Sequence, residues 1–120
     1  MTPETIVVLV TVPSQEAGGR IARTLVEERL AACVNLVPGL VSTFWWEGGV
    51  QTEAEALLIV KSQRPLFEAL AARIRTLHPY TVPEIIAIPL VAGNPPYLDW
   101  VRDAVSPAGE TPKPSGNHPA

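Results

Sequence analysis

His78 is the residue whose type and setting best suit chemistry in this sequence. It is the one histidine of the predicted folded part, and it stands between the end of a helical pattern and Pro79. A neutral imidazole is the commonest protein ligand of borderline divalent metals, which favours a site for copper or another divalent cation. The alternative is structural, because a cationic ring at the carboxyl end of a helix gains roughly 0.5–1 kcal/mol from the helix dipole.

Carboxylates and one lysine could act beside such a site. Glu53 and Glu55 share one face of a predicted strand, so the pair suits acid–base work or a hard cation, or solvates an exposed sheet face. Glu84 follows a proline at the start of another strand, from which it could orient His78. Lys61 is a further polar group within reach of Glu84. We treat Glu55, Lys61 and Glu84 as candidates for a cleft around His78.

The sequence carries none of the common catalytic motifs. It has no Walker A sequence, no G-x-G-x-x-G, no H-E-x-x-H, no C-x-x-C and no G-x-S-x-G. A thiol nucleophile would have to be the single cysteine, Cys33, whose commoner role is that of a small buried group. Cys33 is kept as a candidate neighbour of the site. We expect a binding protein and no enzyme.

Composition and charge exclude several classes of partner. The 120 residues are 47% hydrophobic and 18% charged, which is typical of one globular domain. Nine Lys and Arg stand against twelve Asp and Glu, so a basic footprint for nucleic acid or anionic lipid is missing. One cysteine excludes an intrachain disulfide and fits a reducing compartment. With no long apolar run and no basic amino-terminal segment, we expect a cytoplasmic protein without membrane contact.

Hydrophobic periodicity predicts the order β-α-β-β-α-β followed by a short helix. The predicted strands are residues 6–12, 33–46, 50–61 and 84–90, and the predicted helices are residues 14–30, 64–77 and 94–105. This is the split βαβ order, with one antiparallel sheet and both long helices on one face, a ferredoxin-like α+β fold. Residues 1–105 form one domain. Residues 106–120 are rich in Pro and Gly and predict a disordered tail.

The central hairpin is too long for the domain that carries it. Its return strand of twelve residues spans about 40 Å at ~3.3 Å each, whereas a compact domain of this size is roughly 35 Å across. The tip therefore projects, and it carries Phe44, Trp45 and Trp46. Because adjacent strand residues point to opposite faces, both tryptophans are covered only if both faces are covered. We predict an oligomer with these three aromatic residues at its interface.

Several blocks of the sequence resemble the CutA family of divalent-cation tolerance proteins. They are Leu30-Ala31-Ala32-Cys33-Val34-Asn35, Trp46-Glu47-Gly48, His78-Pro79-Tyr80, Val82-Pro83-Glu84-Ile85 and Tyr97-Leu98-Asp99-Trp100. The resemblance implies a PII-like homotrimer of ferredoxin-like subunits, in which strands of neighbouring chains extend each other's sheets. It also implies a part in tolerance of copper and other divalent cations, with no established enzymatic activity.

The family pattern also points to metal ligands, from which this sequence departs. Copper-binding members use a Cys late in the first strand and a His-His pair before Pro-Tyr. Here Val10 stands in place of the Cys, and Leu77 stands in place of the first His of the pair. His78 alone remains, so the implied metal binding is weak. The alternative is a PII-like binding module for a small anionic or nucleotide ligand at a cleft between subunits. Its anion contacts would be Arg20, Arg23, Lys61 and Arg64.

Overall fold

The computed structural model describes residues 3–106 and has the predicted order of elements. The strands are β1 Thr5–Val12, β2 Cys33–Trp46, β3 Gly49–Gln63 and β4 Ile86–Pro89, and the helices are α1 Gln15–Glu27, α2 Phe67–Leu77 and α3 Pro95–Ala104. The strands form one antiparallel sheet in the order β2-β3-β1-β4. The predicted ferredoxin-like fold with a further carboxyl-terminal helix is confirmed. The predicted tail, apart from its first residue, lies outside the described residues.

α1 and β4 are shorter than their sequence patterns predict, and the first predicted residues of α2 form a separate 3-10 turn, Arg64–Leu66. α1 ends at Glu27, three residues early, because Arg29 takes a φ of 58° and the chain turns back there. β4 begins at Ile86, after the predicted start at Glu84, and pairs only with residues 6–9 of β1. The end of β1 is therefore left without a strand on that side, and residues 78–85 pass beside it.

One face of the sheet is closed by α1 and α2. Alternate residues of β1 and β3 point to this face and meet the apolar stripes of both helices. The side chains of this core are at most 3% exposed: Ile6, Val8, Val10, Val12, Ile21, Leu25, Ala56, Leu58, Val60, Leu70 and Ile74. Val10, at the position where the family pattern has a cysteine ligand, is thus a core residue here.

The opposite face of the sheet is only partly covered. α3 lies over one end of it, where Ala32, Val101 and Val105 form a second buried apolar cluster. Further along the same face, Ile86 and Ile88 of β4 remain 50% and 46% exposed in the single chain. We call this uncovered region the open sheet face. Its apolar residues are Val7, Leu9, Val37, Leu57, Ile59, Ile86 and Ile88.

The β2–β3 hairpin extends beyond the rest of the domain, as predicted. The described chain measures 48 × 30 × 25 Å, and Trp45 and Trp46 at the tip are 76% and 56% exposed. Glu47 and Gly48 have φ values of 51° and 79°, so the tip is a tight two-residue turn and Gly49 already belongs to β3. None of the helices within residues 3–106 has the length and apolar character needed to cross a membrane.

Candidate functional site

His78 lies at the carboxyl end of α2, and its ring is bound to the first strand. The residue is only 7% exposed. Its Nε2 atom lies 2.7 Å from the carbonyl oxygen of Thr11, and the backbone N–H of Tyr80 donates to its Nδ1 atom at 3.0 Å. Because Nδ1 accepts a hydrogen bond, the ring is neutral with its proton on Nε2, which donates to Thr11. Both ring nitrogens are occupied, so a metal would have to displace one of these bonds.

The short β4 explains why the ring reaches β1. β4 pairs with β1 only as far as Leu9, which leaves the Thr11 carbonyl beyond the last strand pair. A carbonyl without a strand partner requires another donor, and His78 supplies it. The capping role suggested by the sequence falls to the backbone of His78, whose N–H donates to the carbonyl of Ile74 at 2.8 Å. The side chain itself ties α2 to β1.

Tyr80 joins the His78 corner to the carboxylates of the hairpin. Its ring packs against His78 with centroids 4.8 Å apart, and its hydroxyl donates to Oε2 of Glu55 at 2.7 Å. Burial, and then the hydrogen bond and charge of Glu55, raise the pKa of Tyr80 to about 12. Sequence reasoning missed this contact. Strand register would have indicated it, because Glu55 is the first β3 residue beyond the end of β1.

A cleft with a volume of about 840 Å³ opens between this corner and the hairpin. Its walls include the carboxylates of Glu53, Glu55 and Glu84 and the aromatic rings of Phe44, Trp46 and Tyr80. The structure thus brings two predicted site residues, Glu55 and Glu84, to one cleft. Among the described residues no hydrogen bond joins Glu84 to His78 or to Lys61, so its predicted orienting role is absent from this geometry.

Cys33 and Lys61 lie together, but away from this cleft. They face each other across β2 and β3, with Sγ 3.9 Å from Nζ, and Lys61 also donates to Oδ1 of Asn35. Lys61 stands six residues from Glu55 along β3, which is about 20 Å at ~3.3 Å per residue. Cys33 is 7% exposed, in line with the small buried group that its sequence setting predicted. The predicted set of site residues is therefore divided between two places.

The four cations predicted for an anion site between subunits do not line this cleft. Arg20 and Arg23 lie on the outer face of α1 and pair with Glu16 and Glu27 at 3.5 and 3.6 Å. None of the residues that line the cleft in the described chain is Lys, Arg or His. The described residues also contain no group of three or more His, Cys, Asp or Glu placed to hold a metal ion. The cleft is therefore acidic and aromatic, and it favours cations over anions.

Tyr80 should resist ionisation at alkaline pH. Its folded pKa lies above the unfolded value of about 10, so its stabilising contribution is complete below pH 10 and is lost as the pH rises through about 12. Burial also raises the pKa of Tyr97, the other tyrosine. Tyrosinate absorbance should therefore show no ionisation near pH 10. Comparison with Tyr80→Phe assigns the signal, and Glu55→Gln should lower the Tyr80 pKa in part. Ionisation of Tyr80 near pH 10 in the folded protein would contradict this geometry.

The fold and the cleft together define a class of protein. The chain is a ferredoxin-like α+β domain in which α1 and α2 lie on one face of the sheet. The other sheet face is open and apolar, and a projecting hairpin frames an acidic cleft. These features place the chain among the small ferredoxin-like α+β domains that leave one apolar sheet face exposed.

Comparison with known proteins narrows the class to a family. The family model described as CutA1 divalent ion tolerance protein matches residues 6–104. The chain is 57% identical over 97 residues to the divalent-cation tolerance protein CutA of Thermus thermophilus, covering 81% of this chain and 94% of that protein. It is 52% identical over 103 residues to the rice protein CutA 1, chloroplastic, covering 86% of this chain but only 58% of that relative's length. The chain belongs to the CutA1 family.

Solved structures of relatives agree with the fold. The crystal structure of CutA1 from Oryza sativa superposes with a TM-score of 0.85 at 50% identity, covering 89% of this chain and 98% of that one. The structure of the Thermus thermophilus protein gives a TM-score of 0.82 at 55% identity, covering 83% and 97%. The family that the sequence blocks resembled is therefore confirmed, together with its subunit fold.

Proposed function

We propose that this chain is a homotrimeric cytoplasmic protein that acts in tolerance of divalent cations, binds them weakly and catalyses no reaction. The observation that carries the proposal is the open sheet face. A folded chain that leaves Ile86 and Ile88 about half exposed on one face is incomplete as a monomer. The family to which the chain belongs is described by tolerance of divalent ions.

The edges of the sheet support assembly from several copies. β2, with fourteen residues, forms one edge, and the short β4 forms the other, so unpaired backbone groups line both. Pairing one edge with the different edge of another copy is a head-to-tail contact, and such contacts close into a ring when the rotation allows. The same arrangement would cover the open sheet face, which continues along the hairpin through Phe44 and Trp46. A trimer is the smallest closed ring of this kind.

Sedimentation at micromolar concentration tests the assembly. We expect three times the 12.9 kDa of one chain for the natural sequence. Ile86→Glu should release monomers, because it puts a charge on the open sheet face while its exposed position leaves the core intact. Val26→Glu is the matched control, since Val26 is 42% exposed on α1, away from that face. A 12.9 kDa species for the natural sequence would refute the trimer.

Metal binding through His78 should be weak for a structural reason. A metal ion would have to replace the bond to Thr11 or the bond from Tyr80, at about 1 kcal/mol for each bond lost. No further described His, Cys, Asp or Glu group completes a site in the single chain. We therefore propose an affinity for copper or another divalent cation that is micromolar at best, on the order of −8 kcal/mol.

Calorimetric titration with copper tests the role of His78. We expect weak binding by the natural protein, weaker still at acidic pH because protons compete for the imidazole. His78→Gln should lose this binding, while its amide can still donate to Thr11 and preserve the fold. Equal copper affinity in the two proteins would exclude His78 as a ligand and leave its structural role.

A further inference from the structure

We propose that Lys61 of one copy forms an ion pair with the carboxylates of Glu53 and Glu55 of the neighbouring copy, across the open sheet face. The pair rests on the assembly proposed above and defines one of its contacts. Lys61 thereby fixes where the hairpin of the neighbouring copy lies on the sheet.

Three charged residues stand on the strands of the open sheet face. Glu53, Glu55 and Lys61 alternate along β3 in step with Leu57 and Ile59, so these side chains all point to this face. The residues that β1, β2 and β4 place on the same face include no Lys, Arg, Asp or Glu. The strands of this face therefore carry a cation at one end, two carboxylates at the other end and apolar side chains between them.

Lys61 has no carboxylate partner within residues 3–106. Its Nζ atom donates to Oδ1 of Asn35 and lies 3.9 Å from Sγ of Cys33, neither of which is a carboxylate. None of the ion pairs in the described chain includes Lys61. Glu55 stands six residues away along β3, about 20 Å at ~3.3 Å per residue. Lys61 is already partly buried, so a counter-charge for it must come from another molecule when this face is covered.

The two carboxylates likewise have no cation in the described part of the chain. Glu53 and Glu55 are absent from its ion pairs, although Tyr80 donates a hydrogen bond to Glu55 at 2.7 Å. The pairing of β1 with β3 ends at Val12 and Ala56, so both carboxylates stand on the projecting part of the hairpin. The hairpin extends past its own domain, and this part of it is free to lie on the sheet of a neighbouring copy.

Covering the open sheet face requires these charges to meet. An ion that loses water without gaining a counter-ion opposes assembly strongly, whereas a close interfacial pair breaks even or is favourable. A head-to-tail contact lays the acidic hairpin of one copy on the Lys61 end of the next, so that both signs are compensated at each contact. A register that placed two acidic hairpins together would be rejected by their like charges.

The exchange of subunits between assembled proteins tests the pair. Natural and isotope-labelled copies of one variant are mixed, and native mass spectrometry follows the formation of mixed assemblies. Lys61→Met keeps a long side chain without the charge and should speed exchange at least about tenfold, because truncating a buried pair mainly accelerates dissociation. Lys61→Arg keeps the charge and should stay within about threefold of the natural rate. Equal rates for Lys61→Met and Lys61→Arg would overturn the proposal.

A double-mutant cycle identifies the partner of Lys61. The chain with both Glu53→Gln and Glu55→Gln should also exchange faster than the natural protein. In that chain Lys61→Met should change the rate by at most about threefold further, since the ammonium group has no partner left to lose. The chain with Glu16→Gln and Glu68→Gln, which removes two charges from exposed helix positions, is the matched control. It should leave the full effect of Lys61→Met in place.

Two outcomes distinguish this pair from the assembly itself. If the natural protein is a trimer but the lysine and glutamate substitutions multiply their effects, the ion pair is wrong and the trimer stands. A monomeric natural protein would overturn both. Chemical denaturation checks the fold of every variant. If Lys61→Met did not fold, the variant with Glu53→Gln and Glu55→Gln would still decide, because its unchanged exchange rate would overturn the pair.

Discussion

Replacing Gly18 with valine should lower the free energy of unfolding by about 2 kcal/mol. Gly18 lies in α1 where the helix packs closely against β1, β2 and β3. A Cβ atom there would stand 2.9 Å from Cγ2 of Val12 and 3.0 Å from Cδ1 of Leu36. Two further methyl groups would force α1 away from the sheet. Chemical denaturation measures the effect as a lower midpoint with an unchanged slope.

The adjacent residue provides the control for this substitution. Gly19 is exposed on the same helix, and a Cβ atom added there meets nothing within 4 Å. Gly19→Ala should therefore raise the free energy of unfolding by about 0.5–1 kcal/mol, because alanine favours helix without a steric cost. If both variants changed stability in the same direction, the close packing of α1 at Gly18 would be wrong.

Replacing His78 with alanine should cost about 2–3 kcal/mol of stability. The substitution removes the donor to the Thr11 carbonyl and the acceptor of the Tyr80 N–H, and it leaves a void at a position that is only 7% exposed. A ring that acted only on the helix dipole would cost roughly 0.5–1 kcal/mol. The measured loss therefore distinguishes the two structural interpretations of His78.

Two amide variants measure the contributions of the two hydrogen bonds of the His78 ring separately. Asparagine can place an oxygen near the Nδ1 position and accept from Tyr80, while glutamine can place an N–H near Nε2 and donate to Thr11. Each should recover about half of the stability that His78→Ala loses. If neither recovered any, the loss would come from packing alone, and the two hydrogen bonds would contribute nothing measurable.

The elements and the fold class could be predicted from the sequence because they depend on local patterns. The apolar run of β1, the alternation in β3 and the apolar stripes of α1 and α2 each act over a few residues. The excess length of the hairpin also followed from counting residues, and the exposed Trp45 and Trp46 agree with it. The sequence blocks indicated the family in the same way.

The composition of the site depended on tertiary structure, because its contacts join residues far apart in sequence. The bond from His78 to Thr11 spans 67 residues, and it exists because β4 stops pairing at Leu9. The bond from Tyr80 to Glu55 follows from the register of β3 on β1.

Sequence proximity of polar residues along β3 could not show which of them share a site. An extended chain advances about 3.3 Å per residue, so Lys61 ends about 20 Å from Glu55 although both lie on one strand. Cys33 lies beside Lys61, and therefore also away from Glu55, because Cys33 and Lys61 are register partners on β2 and β3. Periodicity determined the face on which each side chain lies, and only strand pairing decided which side chains meet there.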